Sequence, residues 1–172
     1  MKKINFTKAF SISALVVGIL MRLSLFVYSP PNNSYDNHLE VIDTYSESFI
    51  RPHPFDFWEA YQPPIYYYIT SLVYKFADNI DMNTFLKWKC IQSVNTILSI
   101  LLLLLIYRSV KCFNLPPIMI STYLSIWAVF PRDIYTSVMI GNDYLLLFLT
   151  GCIFLLYYKS ISNNIERTTN FI

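Results

Sequence analysis

Four apolar stretches, separated by polar segments, constrain the fold of this chain more than any other feature. A helix that crosses the hydrocarbon core of a bilayer needs about 20 mostly apolar residues. Such stretches occur at 9–28, 90–107, 117–130 and 144–158, two of them only marginally long enough. Only 14% of the 172 residues are charged, against about 25% in soluble domains. The sequence therefore predicts an all-α, multi-pass membrane protein with about four transmembrane helices.

The first apolar stretch resembles a signal peptide, because it follows the basic start MKKINFTKAF. It continues to Tyr28, contains Arg22 and is followed by Ser-Pro-Pro rather than by a small-residue cleavage site. We interpret it as an uncleaved first transmembrane helix. We expect the N-terminus and the tail at 159–172 to be cytoplasmic, and the protein to lie in the cell (inner) membrane among its lipids.

A shorter apolar segment at 65–76 decides the topology. At about 1.5 Å per residue it covers some 18 Å, less than the roughly 30 Å of a hydrocarbon core. It follows two prolines, which suit a helix start. We therefore predict a surface helix at about 64–77 and four spans. A fifth span here would also leave seven basic residues inside and five outside, so the positive-inside rule does not separate the two topologies.

The predicted outer loop, 29–89, concentrates the polar chemistry of the chain. It holds both histidines and many of the eleven carboxylates, including Asp36, Glu40, Asp43, Glu47, Asp56 and Glu59. On a helix at about 35–50, capped by Asn33 or Ser34, the first four of these acids share one stripe opposite an apolar side. We expect this amphipathic helix to lie on the outer membrane surface with its acidic side away from lipid.

Two interpretations of the acidic stripe stay open. In the first, the stripe is a solvated surface face, as runs of charged residues usually are. A carboxylate at the membrane boundary can also act as a general base toward a hydroxyl or amide acceptor. Asp36 is the best candidate for the second role, because it comes first after the first span, where a lipid headgroup would arrive.

The sequence indicates no cofactor and no nucleic-acid partner. The net charge of +2 is small, which argues against binding to nucleic acid. Asp36 and Glu40 have the i, i+4 spacing that can chelate a divalent metal, but His38 points to another face of the predicted helix. The three cysteines have neither disulfide nor metal-ligand spacing.

Two motifs resemble a known family. The first is WEAYQPP at 58–64, which leads into a tyrosine-rich apolar helix downstream of Asp36. The second is a proline that ends one span at 130–131, followed by IGNDYLL at 140–146. Over roughly residues 9–159 the chain resembles the membrane-embedded glycosyltransferases of the GT-C class. These are the protein O-mannosyltransferase and aminoarabinose-transferase relatives, including the RgtA/B/C/D-like group.

The resemblance implies transfer of a sugar from a polyprenyl-phosphate carrier to an acceptor of undetermined kind on the outer face. It implies that Asp36 deprotonates the acceptor and that Asp143, which opens a later span, binds substrate or orients the loop. In the loop, His53 lies between two prolines and either shapes the loop or touches substrate, while Glu59 and Gln62 are candidate substrate contacts. Three cations are candidates for the carrier's phosphate: Arg22, Arg132 and Lys89. The alternative for Arg22 is a side chain that snorkels to the headgroups.

Members of this class are several hundred residues long, so we expect the chain to correspond to the N-terminal part of such a domain. The alternative is a truncated, catalytically inactive membrane protein or accessory subunit. A transporter subunit is less favoured, because transporters place polar groups at mid-membrane and the polar residues here gather in the outer loop.

Overall fold

The computed structural model of the chain describes residues 6–31, 36–113 and 115–169, the stretch 162–169 by its backbone alone. These residues form helices and no strand, which confirms the all-α prediction. The helices in chain order are α1 (Phe6–Tyr28), α2 (His38–Ser48), α3 (Pro64–Asn79), α4 (Thr84–Cys112), α5 (Pro117–Ala128), α6 (Pro131–Thr136) and α7 (Asp143–Thr169).

Three helices of the described chain are long and apolar enough to cross a membrane: α1, α4 and the Asp143–Ile161 part of α7. Helix α4 has 29 residues, about 43 Å at 1.5 Å per residue, and so extends well beyond the predicted 90–107. Helix α7 continues past the predicted end at 158, so the first part of the expected tail is helical.

The predicted span 117–130 is the twelve-residue helix α5. It covers only about 18 Å, because Pro131 begins the separate helix α6 directly after it. Helix α5 nevertheless follows α1 over most of its length. The Ser121 hydroxyl donates to the carbonyl of Thr7 near one end, and Arg22 donates to the carbonyl of Ala128 near the other. A fourth crossing by this segment stays a prediction.

Small residues let α1 and α5 approach closely. Gly18 packs against Ala128, and a methyl group at Gly18 would lie 3.0 Å from the Ala128 side chain and carbonyl. Two turns away on both helices, the hydroxyls of Ser11 and Ser121 are hydrogen-bonded at 2.8 Å. Such small-residue interfaces with interhelical hydrogen bonds are typical of helix pairs in membranes. There, lipid tails are as apolar as the side chains, so close packing and hydrogen bonds drive helix association.

Helix α2 begins later than predicted and packs differently. It starts at His38 after an N-cap at Asn37 and ends at Ser48, and its C-cap Phe49 adopts a left-handed conformation with φ 53°. Asp36 therefore precedes the helix and is not part of its stripe, while the proposed caps Asn33 and Ser34 lie outside the described residues. Three acids do remain on an exposed face of α2: Glu40, Asp43 and Glu47.

The apolar side of α2 contacts protein, which corrects the expectation that it faces lipid. Val41, Ile42 and Tyr45 are 0–1% exposed and form a core with tyrosines of α3 and Ile91 of α4. The apolar face left open in this region belongs to α3. It carries exposed side chains at helical spacing: Ile65, Ile69, Leu72 and Phe76. Helix α3 thus has the amphipathic character of the surface helix predicted at 64–77.

Candidate functional site

The structure brings Asp36 and Asp143 to one narrow crevice. Asp36 lies just before α2 and Asp143 is the first residue of α7. Both side chains are exposed, and both line a crevice of about 30 Å³. The other residues of the crevice are His38, Asn95, Thr136, Met139, Ile140, Gly141 and Tyr144. This volume has room for about two water molecules or hydroxyl groups, since each needs roughly 10–15 Å³.

A larger cavity adjoins the crevice. It has a volume of about 310 Å³ and shares Thr136, Asp143 and Tyr144 with the crevice. Its remaining lining combines a cation, a carboxylate and apolar side chains: Arg132, Asp133, Trp127, Phe130, Leu146 and Leu147. The buried indole Nε1–H of Trp127 has no hydrogen-bond partner among the described residues. Crevice and cavity together form a site that carries three acids, Asp36, Asp133 and Asp143, and one cation, Arg132.

Residues 139–141 line the crevice, and polar side chains of α4 hold the segment 137–141 in place. Gln92 Nε2 donates to the carbonyl of Val138 at 2.8 Å. Asn95 Nδ2 donates to the carbonyls of Met139 and Gly141 at 2.6 and 2.7 Å. The hydroxyl of Thr96 donates to the carbonyl of Ser137 at 3.1 Å. Backbone groups between α6 and α7 are thereby satisfied without regular secondary structure.

A buried ion pair holds Asp133, which lines the cavity, in place. Arg22 is 0% exposed, and its Nη2 is paired with the carboxylate of Asp133. Its Nη1 donates to the carbonyls of Gly18 and Ala128 at 2.8 and 3.1 Å. The hydroxyl of Tyr144 donates to Asp133 Oδ1 at 2.9 Å. One residue of α1 thus connects the C-terminus of α5, the first turn of α6 and the start of α7.

This network corrects the interpretation of Arg22. The side chain does not snorkel to the headgroups, and Arg22 lines neither the crevice nor the cavity. Only its Nε is without a hydrogen-bond partner. The guanidinium lies where a cation is favourable, at the negative end of the α5 dipole beside the Ala128 carbonyl. Of the three cations considered for a phosphate, Arg132 is the one in the cavity.

The ammonium group of Lys89 is also hydrogen-bonded within the protein. Its ammonium group donates to the carbonyls of Phe26 and Ser29 and to the side chain of Gln92 at 2.9 Å. Phe26 lies in the last turn of α1, whose terminal carbonyls have no partners within their own helix. Lys89 therefore joins the end of α1 to α4.

Glu59 and Gln62 lie near the crevice without lining it. Glu59 is 2% exposed, and Gln62 Nε2 donates to its carboxylate. Burial raises the pKa of Glu59, and the nearby charges of Asp36 and Asp143 raise it further, while the Gln62 hydrogen bond lowers it. The carboxyl of Glu59 is therefore easier to protonate than an exposed one, and it responds to the charge of the crevice acids.

His53 lies on the exposed loop before α3 and lines neither the crevice nor the cavity. Its backbone N–H donates to Asp56 Oδ2 at 2.8 Å, and its ring lies against Phe55. Among the described residues no group of three or more His, Cys, Asp or Glu side chains is arranged to hold a metal ion. The pair Asp36 and Glu40 is not a helical i, i+4 pair, because Asp36 precedes α2.

Several residues of the site were not predicted. His38 was considered only as a metal ligand, and the roles of Asn95, Asp133 and Tyr144 were not foreseen. One signal was available, because α4 carries buried polar residues at helical spacing within an apolar sequence: Gln92, Asn95, Thr96 and Ser99. The pairing of Arg22 with Asp133 spans 111 positions and has no local signature.

The geometry described above is the basis for any functional assignment. Comparison of the chain with protein-family models, with curated proteins and with solved structures finds no match. Its likeness to the GT-C class accordingly stays a hypothesis that rests on the motifs at 58–64 and 140–146.

Proposed function

We propose that the chain forms the substrate-binding and base-bearing part of a glycosyltransferase. This enzyme would move a sugar from a polyprenyl-phosphate carrier to an acceptor on the outer face of the cell (inner) membrane. The observation that carries the proposal is the convergence of Asp36 and Asp143 on one crevice, although 107 positions separate them in the sequence. The adjoining cavity adds a cation for the carrier's phosphate, Arg132, in a lining that also holds Asp133 and apolar side chains.

The two compartments suit the two substrates. The crevice admits a hydroxyl-sized group between acids, which is what an acceptor oxygen needs before it attacks. The cavity is lined by Arg132 and by Trp127, Phe130 and two leucines of α7. Arg132 would pair with the carrier's phosphate, and the leucines would contact the first prenyl units.

Transfer is then a single displacement at the anomeric carbon. The acceptor O–H bond breaks and its proton passes to the carboxylate of Asp36. The acceptor oxygen forms a bond to the anomeric carbon, and the bond from that carbon to the phosphate oxygen breaks. The carrier leaves as polyprenyl phosphate, whose added negative charge remains beside Arg132. No redox partner or metal enters the balance of this step.

Asp143 and the ion pair beneath it have supporting roles. Asp143 belongs to both compartments, where it can accept hydrogen bonds from hydroxyls of the transferred sugar. Arg22 and Tyr144 fix Asp133 and so fix the floor of the cavity. Rigid support of this kind is what holds reacting groups in a productive geometry.

The test is release of polyprenyl phosphate by the full chain in proteoliposomes, supplied with a panel of radiolabelled polyprenyl-phosphate sugars and with membrane extract as the source of acceptors. Polyprenyl phosphate is the product for every acceptor. We expect Asp36→Asn to lower the rate by about 10²–10⁴-fold, the usual contribution of a general base. The control is Glu47→Gln, which removes one exposed charge on α2 outside the crevice and should change the rate less than about twofold.

Normal turnover by Asp36→Asn would refute its assignment as the base. Failure of the unsubstituted chain to consume any donor would favour the alternative, an inactive or accessory membrane protein.

A further inference from the structure

Of the two histidines, His38 is the one that the fold brings to the crevice. Its side chain is 4% exposed and lies against the rings of Tyr66 and Tyr67 on α3. Its Nε2 edge faces Gly141, where an added methyl group would lie 3.2 Å from Nε2. Glycine at this position lets the imidazole approach the crevice wall.

The hydrogen bonds of Tyr67 define which imidazole nitrogen carries the proton. The Tyr67 hydroxyl lies 2.8 Å from His38 Nδ1 and donates to the backbone carbonyl of Glu59 at 3.3 Å. A carbonyl only accepts, and a hydroxyl has a single proton, so both bonds form together only if Nδ1–H donates to the hydroxyl oxygen. In the neutral ring, Nε2 is then the acceptor.

The surroundings keep this imidazole neutral at pH 7. Burial lowers the pKa of His38 below its ordinary value of 6.5, while the charges of Asp36 and Asp143 oppose the shift. The other titratable groups around it are the hydroxyls of Tyr66 and Tyr67, whose pKa values burial raises, and Glu59 at the end of the Tyr67 hydrogen bond. None of these supplies a permanent positive charge, so Nε2 keeps its lone pair.

We propose that Nε2 of His38 binds a second hydroxyl group of the acceptor, adjacent to the hydroxyl that loses its proton to Asp36. The inference rests on the proposed function and adds the class of acceptor to it. A single hydroxyl cannot donate its one proton to Asp36 and His38 together. Two adjacent hydroxyls can satisfy both, one reaching Asp36 and the other reaching His38. The acceptor is therefore a vicinal diol, such as a sugar ring, rather than an isolated alcohol.

Two small probes separate these acceptors. Cyclohexanol carries one hydroxyl, and cis-1,2-cyclohexanediol carries two on the same ring. With the full chain in proteoliposomes and a donor that it consumes, we expect kcat/KM to favour the diol about tenfold, the effect of one additional hydrogen bond. Equal values for the two probes would overturn the inference and leave the proposed glycosyl transfer intact.

A pair of substitutions distinguishes binding from a purely structural role. In His38→Gln the side-chain oxygen reaches the position of Nε2 but no longer contacts Tyr67. In His38→Asn the amide reaches the position of Nδ1, keeps the contact with Tyr67 and leaves the crevice wall without an acceptor. We expect His38→Gln to retain the diol preference and His38→Asn to lose it. The reverse order would show that His38 acts only by holding Tyr67.

A spectroscopic readout needs neither a donor nor turnover. Because the chain contains two histidines, His53→Gln leaves a single imidazole, whose ¹⁵N resonances report its tautomer. At pH 7 we expect an unprotonated Nε2 whose resonance shifts on addition of the diol and not of cyclohexanol. A protonated Nε2, or no response to the diol, would overturn the inference. A response to the diol in a chain that consumes no donor would support diol binding and refute only the transferase.

Discussion

The ion pair between Arg22 and Asp133 allows a quantitative test of how the site is held together. Arg22 is fully buried and the Asp133 side chain is 7% exposed. Removal of one partner leaves the other as an uncompensated buried charge, which costs about 3–5 kcal/mol. We therefore expect Arg22→Met and Asp133→Asn each to lower the free energy of unfolding by about this amount.

The double variant makes the prediction sharper. Arg22→Met with Asp133→Asn removes both charges, and the new amide oxygen still accepts from the Tyr144 hydroxyl, as Asp133 Oδ1 does at 2.9 Å. The main remaining loss is the Ala128 carbonyl, which no longer has its donor at 3.1 Å. An unsatisfied buried acceptor costs about 1–3 kcal/mol. The double variant should thus be more stable than either single variant.

The assay is thermal unfolding in detergent micelles, followed by the fluorescence of the three tryptophans. At about 2–4 °C per kcal/mol for a chain of this size, each single variant should unfold about 6–20 °C lower than the unsubstituted protein. The decrease for the double variant should be smaller. If the double variant loses as much stability as the two single variants added together, the charges are not coupled and the reasoning fails.

Three further predictions concern the crevice and the cavity. Arg132→Gln should raise the KM for a polyprenyl-phosphate sugar about tenfold, because a hydrogen-bonded cation is lost. The control is the same substitution at Arg108, which is exposed at the far end of α4. Equal effects of the two substitutions on KM would contradict the placement of the phosphate. Protonation of His38 should abolish the diol preference with a midpoint below pH 6.5. Asp143→Asn should move that midpoint lower still, since the carboxylate favours the imidazolium, and an NMR titration that moves upward would contradict this assignment.

The same histidine makes stability depend on pH in a defined direction. Because burial lowers the folded-state pKa of His38, the unfolded chain binds more protons between that pKa and about 6.5. The contribution of His38 to the free energy of unfolding therefore rises with pH through this window and is constant above it.

The sequence predicted the helical class because apolar runs are local and their length relates directly to bilayer thickness. The resemblance also pointed to Asp36 and Asp143 as site residues, and both line one crevice. The start of α2 was placed too early, because the cap at Asn37 interrupts an amphipathic pattern that begins before it.

Long-range pairing could not be predicted in the same way. Arg22 looks like a lone cation in a span until α5 and α6 bring the Ala128 carbonyl and Asp133 to it. The apolar side of α2 looks like a lipid face until α3 covers it. In both cases the local sequence pattern shows that a charge must be paired or an apolar face covered. Only the tertiary structure shows which residues do so.

The polar face of α4 has a consequence for biogenesis. The carbonyls between Ser137 and Gly141 accept hydrogen bonds from Gln92, Asn95 and Thr96. The shortest of these separations along the chain is 41 positions, from Thr96 to Ser137. The ribosome therefore synthesises the acceptors more than 40 residues after their donors. In hydrocarbon each unsatisfied polar group costs several kcal/mol. Helix α4 therefore leaves the insertion machinery with an incomplete set of hydrogen bonds. We therefore expect its partition into lipid to be coupled to the arrival of the segment 137–141.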